Sequence, residues 1–283
     1  MLKFIKSLLF SIGMILIYIG IQLLLSFAVL AAEMIKGIMK AKGLSSLSMN
    51  NIIKNFTDYT IVITLLSAAL TLLIYILIYK ARRKSFIEVC HFRKIQFSSS
   101  IYLVIISLCC GAFSSLFIQY AQTHMKDAFN NYENNMNNLS SSLSTFTAIS
   151  VLALIILLPV FEEILFRGIV FNELNKNLNT AACIILSSFL FGLSHMNLIQ
   201  GIYTFFLGII LASMCYLFKS INASIIVHVT FNLSGTFIFP LLIDSFKNVH
   251  YFNYIYLIAS SVIFIFALFL IYRDISCQRK NFI

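Results

Sequence analysis

Long apolar runs separated by short polar segments dominate the pattern of residues along the chain. Most runs have roughly twenty residues, the length of a helix that crosses the hydrocarbon core of a bilayer. The pattern predicts about eight transmembrane helices, at residues 7–32, 59–79, 101–120, 146–170, 180–195, 202–218, 221–239 and 254–272. The predicted fold class is therefore all-α, a polytopic transmembrane helical bundle.

The composition agrees with this fold class. Hydrophobic residues make up 60% of the 283 residues and charged residues only 11%, whereas about a quarter of residues are charged in soluble domains. The net charge of +10 does not indicate a nucleic-acid partner, because the cations lie in the connections between apolar runs. The six cysteines lie mostly within apolar runs without metal-type spacing, so we interpret them as small core residues.

The distribution of lysine and arginine predicts the orientation of the helices. With the N-terminus inside, thirteen cations fall in inner segments and six in outer ones, and Arg167 lies within a helix. Cytoplasmic connections are typically the positive ones, which predicts a cell-membrane protein with both termini in the cytoplasm. The first run is longer than the apolar core of a signal peptide, about 7–15 residues, and is predicted to be an uncleaved helix.

Two polar segments separate the first apolar runs from one another and from the fourth. Residues 33–58, with SSLSMNN in their middle, form a polar connection after the first helix. The asparagine- and serine-rich sequence DAFNNYENNMNNLSSSLS, residues 127–144, is predicted to be a mobile loop.

The sequence LLPVFEEILFRG, residues 157–168, places three charges within six residues of an apolar run. Ionisable side chains at membrane depth are costly unless they face protein or a wet cavity, so they indicate a functional site. Glu163 and Arg167 are four residues apart on one helix face and are predicted to pair, whereas Glu162 has no cation at helical spacing. We expect Glu162 to remain free for proton transfer. The alternative is a salt bridge that only joins two helices.

Two later apolar runs each contain a histidine with a companion four residues away. Phe191 and His195 end the fifth predicted helix, and His228 and Asn232 share one face of the seventh. At 1.5 Å per residue, Glu162 and His228 lie roughly 13–14 Å from the inner face, and His195 roughly 22 Å. A single membrane histidine more often joins two helices by a hydrogen bond. Two histidines accompanying a Glu-Glu-Arg cluster favour catalysis.

Together the three motifs resemble those of the CAAX-protease and bacteriocin-processing (Abi) family. They are EExxxR at Glu162, Glu163 and Arg167, FxxxH at Phe191 and His195, and HxxxN at His228 and Asn232. The resemblance implies a catalytic core at residues 146–240, between N-terminal helices and loops at 1–145 and a C-terminal helix with a cytoplasmic tail at 241–283.

The resemblance also implies an intramembrane endopeptidase with a water-filled cavity open to the cytoplasm. Its implied site roles are water activation by Glu162 and His195, oxyanion stabilisation by His228 and Asn232, and support by Glu163 and Arg167. Either no cofactor is needed, or zinc is bound by Glu162, His195 and His228. We expect no metal, because Glu162 as a ligand would leave as the base only Glu163, which Arg167 should hold ionised and poorly basic.

The implied partners are the lipid bilayer and a membrane-associated peptide or protein substrate, prenylated or not. In bacteria the resemblance further implies peptide pheromone processing, bacteriocin processing or self-immunity. One alternative is a non-catalytic membrane scaffold or immunity protein that retains the motifs. Another is a proton-coupled transporter, which also places ionisable groups at mid-membrane but should show repeated halves.

Overall fold

The computed structural model describes residues 2–40, 48–145, 147–246 and 251–280. These ranges contain helices and no strand. Six of the described helices are long and apolar enough to cross a membrane. The polytopic helical bundle is therefore confirmed, and the protein is a multi-pass membrane protein.

The described helices follow the order of the chain, and three of the helical segments are π-helical. They are α1 (Leu2–Lys40), α2 (Met49–Asp58), α3 (Thr60–Ala81), α4 (Phe86–Cys90), α5 (Phe97–His124), α6 (Lys126–Thr145), α7 (Thr147–Leu152), π1 (Ala153–Leu157), α8 (Leu158–Glu163), π2 (Ile164–Phe171), α9 (Asn172–Leu174), α10 (Thr180–Ser194), α11 (Leu198–Phe218), α12 (Ile221–Leu233), π3 (Ser234–Ile238), α13 (Phe239–Phe246) and α14 (Phe252–Lys280).

The count of eight membrane-crossing helices is not confirmed, because the fourth and fifth predicted helices are absent from the six. The fourth is divided into α7, π1, α8 and π2, and its predicted first residue, Phe146, lies outside the described residues. Pro159 stands in the first turn of α8, directly after π1. Proline has no N–H for an interior helical hydrogen bond, which fits a change of helical geometry at this point. The fifth, α10, has only 15 residues.

Both polar segments are largely helical in their described parts, so the prediction of a mobile loop at residues 127–144 was wrong. In the first segment α1 continues to Lys40 and α2 follows, whereas residues 41–47 lie outside the described residues. In the second, α6 spans Lys126–Thr145 and packs against α2, α3, α5, α7 and α11. Asparagine and serine are poor helix formers, but contacts with neighbouring helices regularly override such weak preferences.

The core surrounds the segment that carries the two adjacent glutamates. All eight residues of π2 are buried, and helices α10, α11 and α12 pack around π2 and α8. Helices α10 and α11 approach closely, because a Cβ atom on Gly192 would lie only 2.7 Å from the carbonyl oxygen of Gly201. Small residues permit such close approach of membrane helices. The end of α10, where His195 lies, is therefore held tightly against α11.

The cysteines whose side chains are described form no disulfide. They are Cys90, Cys109, Cys110, Cys183 and Cys215, and all but Cys110 are buried. The side chain of Cys277 lies outside the described part of the structure.

Candidate active site

Glu163 and Arg167 form a completely buried ion pair where α8 continues into π2. Nη1 of Arg167 donates to Oε1 of Glu163 at 2.9 Å, and the two side chains are 1% and 0% exposed. Nη2 of Arg167 donates to the carbonyl oxygen of Gly208 in α11 at 3.2 Å. The structure thus contains the pair expected from the four-residue spacing. The pair also joins π2 to α11.

His228 joins both glutamates from the opposite helix, α12. Its Nδ1 lies 2.8 Å from Oε1 of Glu163, and its Nε2 lies 3.6 Å from Oε2 of Glu162. A carboxylate paired with arginine only accepts hydrogen bonds, so Nδ1 of His228 carries the hydrogen. Glu163 therefore fixes the ring of His228 so that Nε2 faces Glu162.

The two adjacent glutamates differ sharply in their surroundings. The side chain of Glu162 retains 26% of its exposure, whereas that of Glu163 retains none. Among the ion pairs of the described residues, Glu162 has His228 as its partner and no lysine or arginine. One carboxylate is thus enclosed and neutralised by arginine, and its neighbour is accessible, as the helical spacing predicted.

His195 approaches the same region from the end of α10. Its Nδ1 lies 2.9 Å from the carbonyl oxygen of Phe191, which can only accept, so Nδ1 carries the hydrogen and Nε2 keeps a free lone pair. His195 is within electrostatic range of Glu162 and His228. His195 therefore lies near Glu162 and His228, although counting residues along its helix predicted a greater membrane depth for it.

Phe191 is the buried ring around which these groups gather. The rings of His195 and His228 meet it edge-on, with centroids 4.9 Å and 5.7 Å away. The guanidinium of Arg167 lies over its face, 4.5 Å from the centroid. The sequence identified Phe191 as a motif residue and gave it no role. Its position indicates that it orients three polar side chains at once, with a cation–π contact to Arg167.

A sharp reversal ends α10 inside the bundle. Met196 has a φ of 50°, in the left-handed region, and Asn197 then begins α11, its side chain accepting from the backbone N–H of Gln200 at 3.1 Å. Only two residues thus separate His195 from the start of the next helix. This short turn leaves few backbone polar groups without helical partners, as membrane depth requires.

Asn232 lies one turn after His228 and contacts a different element. Its Nδ2 donates to the carbonyl oxygen of Leu154, in π1, at 3.1 Å. This hydrogen bond goes to the backbone, not to Glu162 or either histidine. An amide has two hydrogens, so the second remains for a ligand.

A zinc ligand set is not assembled in this arrangement. Within the described part of the chain, no three His, Cys, Asp or Glu side chains are grouped closely enough to hold a metal ion. Nδ1 of each site histidine is engaged, so each could offer only Nε2 to a metal, and Nε2 of His228 already faces Glu162.

Comparison with known proteins identifies the family of this region. Residues 144–234 match the family model described as type II CAAX prenyl endopeptidase, Rce1-like. This part of the chain is Rce1-like. The resemblance drawn from the three motifs is thereby confirmed, and the Rce1-like segment contains all six predicted site residues. No curated protein and no solved structure matches the chain. The matched family is one of proteases, which supports an intramembrane endopeptidase in general.

Proposed function

We propose that the protein hydrolyses a peptide bond in a membrane-associated peptide or protein. One observation carries this proposal above the others. Glu162 is accessible and has no lysine or arginine partner in the described part of the chain. It faces Nε2 of His228, whose ring is fixed by the buried pair of Glu163 and Arg167. This is the arrangement of a base beside an oriented acid, which peptide hydrolysis requires.

In the first step Glu162 accepts a proton from a water molecule whose oxygen attacks the scissile carbonyl carbon. The free Nε2 of His195 accepts a hydrogen bond from the other hydrogen of that water. The carbonyl π electrons move to the oxygen, which becomes an oxyanion. His228, protonated at Nε2, and the second amide hydrogen of Asn232 donate to this oxyanion.

In the second step the oxyanion collapses and the carbon–nitrogen bond breaks. Glu162 returns its proton to the leaving nitrogen, so that the products are a carboxylic acid and an amine and the enzyme is restored. Glu163 and Arg167 exchange no proton in this scheme. They hold His228 and α11 in position, which keeps the donors aimed before the charge develops.

An apolar cavity beside the site supports a lipid-tethered substrate. Its volume is about 490 Å³, and it lies among α5, α11, α12 and α14. Tyr203 and Phe231 line it, and Phe231 directly precedes Asn232. A hydrocarbon chain in this cavity would place the attached peptide near Glu162, which converts a bimolecular encounter into a positioned one.

We also propose a cellular location and a biological role for the protein. We place the protein in the cell membrane with both termini in the cytoplasm, where positive connections are typical. Its role there would be the processing of a peptide pheromone or bacteriocin, or self-immunity.

The test uses two internally quenched peptides of one sequence, one S-farnesylated at a cysteine near its C-terminus and the other S-methylated. Protein purified in detergent should cleave the farnesylated peptide much faster, with one new carboxyl terminus identified by mass spectrometry. Folded protein that cleaves neither this peptide nor other lipid-tethered peptides would contradict the proposal and favour a scaffold.

A further inference from the structure

The polar helix α6 carries a tyrosine that contacts α11. Tyr132, in the middle of α6, meets Tyr203 of α11 with their rings perpendicular and 6.5 Å apart. The two side chains are close enough to interact electrostatically. Tyr203 also packs against Phe231, with ring centroids 6.3 Å apart. Tyr203 therefore connects α6 with the helix that carries His228 and Asn232.

The register of the helices places Tyr203 at the depth of Glu162. Gly208 of α11 accepts a hydrogen bond from Arg167, which sets these two residues side by side. Tyr203 lies five residues before Gly208, and Glu162 lies five residues before Arg167, a rise of roughly 7 Å in each helix.

The two segments run in the same direction, so the two rises point the same way. A Cβ on Gly168 would lie 3.5 Å from Ile221 at the start of α12, and Glu163 meets His228 further along α12. The segment α8–π2 is thus antiparallel to α12, and so is α11, which a tight turn at Lys219 connects to α12. Tyr203 accordingly lies within electrostatic range of Glu162.

The carboxylate of Glu162 is held less firmly than that of Glu163. Glu163 is fixed by two partners, whereas among the ion pairs of the described residues Glu162 has only His228, at the long distance of 3.6 Å. A flexible carboxylate loses much of its effectiveness as a base, because small misplacements of a reacting group are costly. A phenolic hydroxyl, which both donates and accepts, is a suitable neighbour for a carboxylate and a water.

We propose that Tyr203 is a positioning residue for Glu162, and that Tyr132 of α6 holds the Tyr203 hydroxyl in place. This inference rests on the proposed peptidase function. Tyr203 also lines the apolar cavity that we propose for the substrate's lipid. Binding of the lipid-tethered peptide beside Tyr203 would thereby be coupled to the orientation of Glu162.

The test removes single hydroxyl groups and measures kinetics with the S-farnesylated peptide. Tyr203→Phe should lower kcat about tenfold, the equivalent of one hydrogen bond made in the transition state, with KM within about twofold of wild type. Tyr132→Phe should lower kcat in the same direction but less. Neither change should lower the melting temperature by more than the loss of one hydrogen bond does, since the rings remain packed.

Tyr75→Phe is the matched control. The hydroxyl of Tyr75 donates to the carbonyl oxygen of Met14 at 2.6 Å and joins α3 to α1, away from the glutamates. Its removal should lower the melting temperature and leave kcat of the folded protein unchanged.

Each outcome decides the inference. If Tyr203→Phe keeps the wild-type kcat, or loses activity only in step with its melting temperature, the positioning role is wrong. If wild type cleaves and Glu162→Gln does not, while Tyr203→Phe cleaves at the wild-type rate, the positioning role alone is overturned and the peptidase function stands. If wild-type protein cleaves no lipid-tethered peptide, both proposals are overturned.

Discussion

Two glutamates are buried in different halves of the molecule, and their partners differ. Glu33, near the end of α1, is 5% exposed and pairs with Lys36 at 2.6 Å and with Asn55 at 2.9 Å. The side chain of Lys36 is 58% exposed. Glu163 is fully buried, and its partners Arg167 and His228 are only 1% and 4% exposed.

The exposure of the cation separates a structural ion pair from a pair that organises a site. Helix α1 has 39 residues and is roughly 58 Å long. The hydrocarbon core is only roughly 30 Å thick, so part of α1 extends into water. If Glu33 is lost, Lys36 can still be hydrated. If Glu163 is lost, Arg167 and His228 stay enclosed without a counter-charge. The first pair lies within α1, and Glu33 joins α1 to α2 through Asn55. The second pair fixes the groups that face Glu162.

The largest effect on stability should follow Glu163→Gln. Removing this charge leaves Arg167 buried and unpaired, a loss of about 3–5 kcal/mol in the free energy of unfolding. Thermal melting in detergent measures it. A melting temperature equal to that of wild type would show that Glu163 is not the anchor of the site.

A smaller effect, on rate alone, is expected for Asn232→Ala. Losing an oxyanion donor typically lowers kcat by about 10²–10³, and KM should change little. The hydrogen bond from Asn232 to Leu154 is also lost, so melting must be measured alongside. An unchanged kcat would assign Asn232 to helix packing only.

Glu33→Gln should have the smallest effect of the three substitutions. Its amide can still bond Asn55, and the exposed Lys36 regains water, so activity and melting temperature should stay close to wild type. A loss as large as that of Glu163→Gln would break the distinction between the two glutamates.

Chelation should have no effect on turnover. If Glu162 activates water without zinc, 1,10-phenanthroline should leave the activity unchanged and metal analysis should find no stoichiometric zinc. Activity lost on chelation and regained on adding zinc back would instead make Glu162 a ligand.

The sequence predicted what depends on local spacing. The apolar runs located the helices, and the four-residue interval predicted the pair of Glu163 and Arg167, because helix geometry fixes which residues share a face. The contact between Glu163 and His228 spans 65 residues of chain. No spacing within one helix can reveal it.

The π-helical segments and α6 were missed for a related reason. A π-helical turn, such as those beside Pro159, depends on how a helix packs. The helical form of α6, and with it the position of Tyr132, depends on contacts with distant helices. Local preference for asparagine and serine predicts a loop at α6, and tertiary packing overrides it.

The central claim is that Glu162 is the base and Glu163 the anchor, and Glu162→Gln tests it most directly. Wild type and variant are incubated with the same S-farnesylated peptide, and products are quantified by mass spectrometry. We expect the variant to lose activity by about 10³-fold or more, since general bases contribute about 10²–10⁴, with an unchanged melting temperature. A variant that folds and cleaves at the wild-type rate would contradict the account.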